Sequence, residues 1–331
     1  MLSSRQVFTG TITRARYCFL LAKPPSRQHN AVDDVSRQFR GLKGERGNRK
    51  GERNLKTHRR VGFQGERGAF SETAARKMVT GDMDLVPLPS FPALFRALAS
   101  AKIDYATVPI ENTLAGSVHE NYDLLLKHRL PILFETRVRI VHNLIAPPGV
   151  SLRSVRRAYS HPVALQQCRR FFEKHRRVEA VPFYDTAGSV KMVIEKKLPD
   201  AAAIAGKSCA SIYGGRIVAK DIGDDRENYT RFFLLGPRSM AKRPSSGTKT
   251  SIVFVTKNLP GALFRCLSAF ALRDINLTKI ESRPLMGRPW EYLFYLDFLG
   301  NPSSPAPGNA LKNLGEITEF VRVLGCYSPV P

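Results

Sequence analysis

The chain has 331 residues, 43% of them apolar, and carries 52 Lys/Arg against 28 Asp/Glu for a net charge of +24. This length accommodates two domains with real cores. Five scattered cysteines without a CxxC pair argue for a reducing compartment and against a disulfide framework or zinc site. Near the N-terminus the longest apolar run, "YCFLLA", falls far short of the roughly 20 residues a membrane span requires.

The charge is unevenly spread. Residues 1–60 hold 15 Lys/Arg and 4 Asp/Glu, so +11 of the +24 sits in this leader. A basic surplus attracts phosphates and carboxylates alike and selects no partner by itself. Residues 1–32 have no acidic residue and contain several Arg and Ser, as in an organelle transit peptide. Residues 41–60, "GLKGERGNRKGERNLKTHRR", are Gly- and Lys/Arg-rich and read as disordered. Three readings stand for the leader: a targeting segment, a nucleic-acid-binding tail, or sequence added by an upstream start codon. The last is favoured, which gives a cytoplasmic protein; a transit peptide would place it in a plastid. The tail reading is weakest, since no aromatics are interleaved to stack on bases.

From residue 61 the pattern changes to that of a folded chain. "VGFQGERGAFSETAARKM" (61–78) predicts a strand, a glycine turn and a helix, an arrangement that offers N–H groups to an anion or is simply an ordinary βα turn. A helix around 90–101, the strand "YATVPI" (105–110) and a helix near 118–128 follow. "ILFETRVRIVHNLIAP" (132–147) alternates as strands do, and a strand near 156–159 leads into a helix from 162 to 175. "EAVPFY", a helix at 186–196, the strand "AAAIA" and a helix at 206–213 complete an α/β domain expected to hold largely parallel sheets. "ENYTRFFLLG" (227–236) is a last strand in which Thr230 and Phe232 share one face and Arg231 takes the other. A Pro/Ser/Gly/Lys-rich linker (238–248) precedes a βαββαβ sequence over 249–331.

Polar residues gather at the strand ends of the α/β part. They are Glu111-Asn112-Thr113 in "VPIENTLAGSV", Ser160-His161 in "SHPVALQQC", Asp185-Thr186 in "FYDTAGSV", and Thr230-Arg231 in "NYTRF". Each alone reads as well as a helix cap or strand end. Three such caps plus "NYTRF", all at strand ends of one α/β domain, are expected to converge on a single cleft. "AGKS" (205–208) lacks the first glycine of a P-loop, and no His/Cys/Asp cluster has metal-ligand spacing, so no metal is expected.

These blocks, with "GERGAFSETAA" before them and "GALFRCLSAF" and "ESRP" after, resemble prephenate dehydratases in the expected order over 61–331. "ESRPLMGRPWEYLFYLDF" is similar to plant arogenate dehydratases and their bacterial relatives. The resemblance implies a two-lobed, periplasmic-binding-protein-like catalytic domain over 61–237. A ferredoxin-like ACT regulatory domain is implied over 249–331. It implies decarboxylative dehydration of prephenate to phenylpyruvate without cofactor or metal, or of arogenate to phenylalanine. A non-catalytic amino-acid sensor is the alternative from another class.

By resemblance, Thr230 donates to the leaving hydroxyl, Arg231 either neutralises a carboxylate or packs structurally, and Phe232 walls the ring carboxylate. Ser71, Glu111, Asn112, Thr113, Ser160, His161, Gln166 and Thr186 are substrate-contacting candidates. Thr113 stands where the family usually has serine. Gly261, Ala262, Leu263, Asn276, Leu277, Glu281 and Ser282 match phenylalanine-sensing loops, which implies L-phenylalanine as effector and a homodimer or homotetramer through the ACT domains. Neither nucleic acid nor membrane is an expected partner.

Overall fold

The computed structural model describes residues 58–241, 246–285 and 287–330. The leader reading therefore concerns residues that, up to 57, lie outside the described ones, as does the middle of the expected linker. The first strand begins at Arg59, two residues ahead of the expected boundary.

The first lobe is built from β1 (Arg59–Gln64), α1 (Phe70–Met78), β2 (Met83–Leu88), α2 (Phe91–Ala99), β3 (Tyr105–Asn112), the two-residue β4 (Gly116–Ser117), α3 (His119–His128) and β5 (Ile132–Arg139). The chain then crosses to a second lobe. That lobe comprises β6 (Asn143–Ala146), β7 (Arg157–Ser160), α4 (Pro162–Gln166), α5 (Arg169–Lys174), β8 (Glu179–Pro182), α6 (Thr186–Glu195), β9 (Ala201–Ala205), α7 (Ser208–Tyr213) and β10 (Arg216–Ala219). It returns through β11 (Tyr229–Leu235), which enters the first lobe between β5 and β3. Two crossings between two sheets give the two-lobed, periplasmic-binding-protein-like plan.

The sheets are mixed, which corrects the expectation of largely parallel strands. β1 runs parallel to β2 and β3, and β7 parallel to β8 and β9. β11 lies antiparallel to both β3 and β5, and β6 lies antiparallel to both β9 and β10. The antiparallel pairs involve the strands next to the crossings, where the chain enters or leaves a lobe without a helix to reverse it. The helix expected over 162–175 is broken at Cys168. There the Asp224 carboxylate accepts from Arg169 N (2.9 Å) and Arg170 N (3.0 Å) and starts α5 anew.

The C-terminal module is β12 (Lys249–Thr256), α8 (Ala262–Ala271), β13 (Leu277–Pro284), β14 (Tyr292–Leu299), α9 (Pro305–Ile317) and β15 (Thr318–Val330). Its strand order β13-β14-β12-β15 is that of a ferredoxin-like unit. α9 starts four residues before the expected 309 because prolines are tolerated in a helix's first turn. β15 runs on past the predicted strand. Its Ser328–Val330 pair in parallel with Phe134–Thr136 of β5, so the module's sheet continues that of the first lobe in one ten-stranded sheet. Gly325 makes this join possible: a Cβ there would lie 2.5 Å from the Ile132 carbonyl oxygen.

One apolar core spans that join. Leu94, Phe95, Tyr122, Leu125 and Phe233 of the lobe pack with Val253, Val255, Leu293, Tyr295, Leu324 and Tyr327 of the module. At roughly 1.5–3 kcal/mol for each fully buried large side chain, these six module residues outweigh any ion pairs at the same interface, which come close to breaking even. The module's own helices cover the other face of its sheet through Ile252, Phe254, Phe270 and Leu314.

Candidate active site

β3 ends beside the start of the antiparallel β11, with Asn112 opposite Thr230 and Glu111 opposite Arg231. Because side chains alternate along a strand, the two pairs point to opposite faces of the sheet. The Asn112–Thr230 face meets the second lobe, and the Glu111–Arg231 face meets the C-terminal module.

On the first face a continuous polar network forms. Asn112 Nδ2 donates to Thr230 Oγ1 (3.0 Å) and to Asn228 Oδ1 (2.7 Å). Gln167 Nε2, from the end of α4, donates to Asn112 Oδ1 (3.2 Å). Gln167 Oε1 accepts from Asn228 Nδ2 (2.9 Å) and from His142 Nε2 (2.9 Å). Since that amide oxygen can only accept, His142 carries its proton on Nε2. Burial holds the His142 pKa below the usual range, so the ring is neutral near pH 7. Thr230 is nearly buried at 9% exposure. Its oxygen accepts from Asn112, which leaves the hydroxyl proton available to a neighbour and polarises the O–H bond.

Gln166, the glutamine expected to contact substrate, is exposed, while Gln167 joins the two lobes. At 100° per residue only one of two successive glutamines on a helix can face the network. Asn228 and His142 were missed too. Asn228 immediately precedes the strand that carries Thr230, which was the available signal.

Other nominated residues turn out to be engaged elsewhere. Ser160 is fully buried and donates to the Ile204 carbonyl at 2.6 Å, so its hydroxyl braces β7 against β9. Thr113 donates to Glu227 O (2.7 Å) and accepts from Tyr229 N (3.0 Å), tying the end of β3 to the start of β11. His161 caps α4 by accepting from Val163 N (3.3 Å). Asp185 caps α6 by accepting from Gly188 N (2.7 Å), and Thr186 is the first residue of that helix. Burial raises the Asp185 pKa against the lowering effect of the Gly188 and Ala187 N–H groups. Ser71 is buried in the first turn of α1, beside Phe70, whose ring meets His142 edge-on at 6.1 Å. Phe232 is buried, in register with Pro109 and Thr136.

The glycine turn after β1 is a latch between the lobes. Glu66 pairs with Lys191 (3.2 Å), Tyr213 donates to Arg67 O (2.8 Å), and Ser208 donates to Gly68 O (3.2 Å). Gly65 has φ +104°, and a Cβ on it would stand 2.6 Å from Asp185 Oδ2. The turn does not await an external anion, because the Glu72 carboxylate already accepts from Gly68 N (2.8 Å) and pairs with Arg76 (2.8 Å). Burial works against the Glu72 charge, but these partners and Arg67 hold its pKa below the ordinary carboxylate value.

Arg231 is not in the cleft. It lies on the opposite face, paired with Glu135 (2.6 Å), donating to Tyr327 Oη (2.9 Å) and covering the Phe233 ring at 4.7 Å. Asp297 Oδ2 lies 2.6 Å from Nη1 in an ion contact that lacks hydrogen-bond alignment. Lys249 adds a second cation to Glu135 at 2.9 Å. Burial opposes the guanidinium charge, but Asp297, Tyr327 and Glu135 more than offset it, and the Arg231 pKa lies above its ordinary value. Glu111 is likewise turned to the module, paired with Lys279 (3.1 Å). Both are expected substrate contacts in the sequence, and strand alternation instead turns both away from the polar network at the lobe junction.

In the module, Gly261 caps the start of α8 while Asn276 lies beyond its end. Ten helical residues place these two parts of the nominated effector site about 15 Å apart along the axis. Glu281 turns inward, accepting from Ser117 Oγ at 2.8 Å, while Ser282 is exposed on the outer side of β13.

The two-lobed, binding-protein-like α/β fold places a polar, largely neutral network at the lobe junction, where such a fold takes a small molecule. Residues 61–240 match the prephenate dehydratase family. Arogenate dehydratase/prephenate dehydratase 2, chloroplastic, of Arabidopsis thaliana is 46% identical over 81% of this chain and 72% of its own length. Among solved structures, prephenate dehydratase of Arthrobacter aurescens in complex with L-Phe superposes with a TM-score of 0.74 at 32% identity, covering 81% of this chain and 90% of that one. GqqA, described as a novel type of quorum quenching acylase, superposes with a TM-score of 0.75 at 32% identity over 82% of this chain and 99% of its own. The chain belongs to the prephenate dehydratase family, whose members are carbon–oxygen lyases.

Proposed function

We propose that the protein is a phenylalanine-regulated prephenate dehydratase. The observation that carries the chemistry is the hydrogen bond from Asn112 Nδ2 into Thr230 Oγ1. It fixes the hydroxyl oxygen and leaves its proton to be donated. In the reaction the bond from the ring to its carboxylate breaks and CO2 departs. The released electron pair enters the ring, and the ring hydroxyl leaves, taking a proton from or through Thr230, as the ring becomes aromatic. A threonine is a weak free acid, so its effect depends on position and on the polarising Asn112. Gln167, Asn228 and His142 hold Asn112 in place and bring no net charge near a dianionic substrate. Phe232 supports a dry wall, where a carboxylate is poorly solvated and its loss as CO2 is favoured.

The C-terminal module fits an ACT regulatory domain. The relative crystallised with L-Phe supports phenylalanine as its effector. Separation of Gly261 and Asn276 to the two ends of α8 favours a site completed between two copies of the module. Exposed Leu259, Phe264 and Leu272 around α8 are apolar surface of the kind such a contact would cover. Arogenate is the second reading, favoured by the naming of the Arabidopsis relative after both substrates. That relative's chloroplast location also favours a plastid leader over the start-site reading of residues 1–60. Turnover of prephenate and arogenate by purified protein tests the assignment through the ratio of the two kcat/KM values. Formation of phenylpyruvate from prephenate is expected. Failure to convert either compound would remove the assignment.

A further inference from the structure

The Glu111–Arg231 face of the site is where the catalytic lobe touches the C-terminal module, and one side chain of the module occupies an unusual position there. Lys279, on the edge strand β13, is only 7% exposed in its side chain. Its ammonium lies 3.1 Å from Glu111 Oε1, 2.9 Å from Ser117 Oγ and 3.3 Å from Glu281 Oε2, and 5.7 Å above the Tyr122 ring. Three of these four partners belong to the lobe. Glu281, two residues on, accepts from Ser117 Oγ (2.8 Å) and lies 3.6 Å from His119 Nδ1 at the start of α3. Both inward side chains of the middle of β13 therefore grip the lobe, while their neighbours Ile280 and Ser282 face outward.

What they grip adjoins the reacting residues. Glu111 is bonded in the chain to Asn112, the donor to Thr230, and stands in register with Arg231, the neighbour of Thr230. Ser117, in β4, is in register with Glu111. Any shift of β13 that withdraws Lys279 leaves Glu111, among the described residues, with Arg231 at 3.7 Å as its counter-charge. Glu111 and Asn112 are adjacent at the end of β3, so the pairing of one bears on the placement of the other.

We infer that the Lys279–Glu111 pair is the contact through which the module sets the alignment of Asn112 and Thr230, so that an effector acting on β13 is read at the site. This rests on the effector reading above. Lys279 is a positioning residue on this account and touches no substrate.

The test uses the full chain as wild type, Lys279→Met, Lys279→Gln and Lys279→Arg. Binding of L-phenylalanine is measured by titration calorimetry, and its effect on prephenate turnover by steady-state kinetics. The Met and Gln variants are expected to bind L-phenylalanine within about threefold of wild type, while the change in turnover that it causes shrinks by roughly 5-fold or more, within the usual range of allosteric coupling. The Arg variant is expected to retain the response. Two neutral variants guard against one failing to fold. A full phenylalanine response in either folded neutral variant overturns the coupling role. A wild-type enzyme that neither binds nor responds to L-phenylalanine overturns the effector reading itself, and this inference with it.

Discussion

Replacing Arg231 by methionine separates a buried structural cation from a substrate ligand. Methionine keeps most of the stem volume and removes only the charged fork. In the folded chain that fork sits between Glu135 and Asp297, whose side chains are each 4% exposed. Glu135 keeps Lys249 at 2.9 Å after the change. Among the described residues Asp297 then keeps the Ser251 hydroxyl at 2.5 Å and becomes a buried carboxylate without a counter-ion. Removing one partner of such a pair costs about 3–5 kcal/mol. At about 2–4 °C per kcal/mol for a fold of this size, the melting temperature should fall by roughly 6–20 °C. The double variant Arg231→Met/Asp297→Asn should recover much of the loss, because the orphaned charge is gone. Guanidinium denaturation followed by circular dichroism gives the stability, and kinetics well below the transition give KM, expected to stay within about threefold. A single variant as stable as wild type with KM raised tenfold or more would refute this reasoning and return Arg231 to the substrate.

Two further outcomes follow from the network around Thr230. Gln167→Ala should lower kcat by roughly 5- to 100-fold, the range for losing a buried hydrogen-bonded group, while the exposed Gln166→Ala should leave kcat within about twofold; the reverse ranking would relocate the site. Stability should fall as pH drops below about 6.5, because burial favours neutral His142 and the unfolded chain takes up its proton first. The loss ends once pH passes the lowered folded-state pKa. His128 and His161, also lowered by burial, act in the same direction, and His58, raised by Asp84 and Asp82, acts against it. Denaturation midpoints across pH 7.5–5 for wild type and His142→Leu should show a shallower slope in the variant; an unchanged slope would remove His142 from the account.

Periodicity made the order of strands and helices readable, and alternation in "NYTRF" was enough to separate Thr230 from Arg231. Local pattern could not reveal what each side chain meets across the fold. Arg231 finds Asp297 and Glu135 from elements far away in the chain, and nothing around "TRF" announces two buried carboxylates. Ser160 ends a strand, as a cleft residue would, yet β9 passes close enough for the Ile204 carbonyl to accept its hydrogen bond. Gln166 and Gln167 are indistinguishable by composition and differ only by the rotation of α4. The short strands β2 and β10 escaped notice because each has few residues and weak alternation. Extension of β15 into the lobe sheet was equally hidden, since it depends on the Gly325 backbone meeting Ile132.

The central claim is that the Thr230 hydroxyl, held by Asn112, serves the departing hydroxyl of the substrate. Thr230→Val keeps the shape and removes only the donor, and phenylpyruvate formation from prephenate reports directly on the step. The account predicts that kcat falls by about 100-fold or more, in the range for a positioned proton donor, with KM little changed and the fold intact by circular dichroism. Turnover by Thr230→Val equal to that of wild type would contradict it.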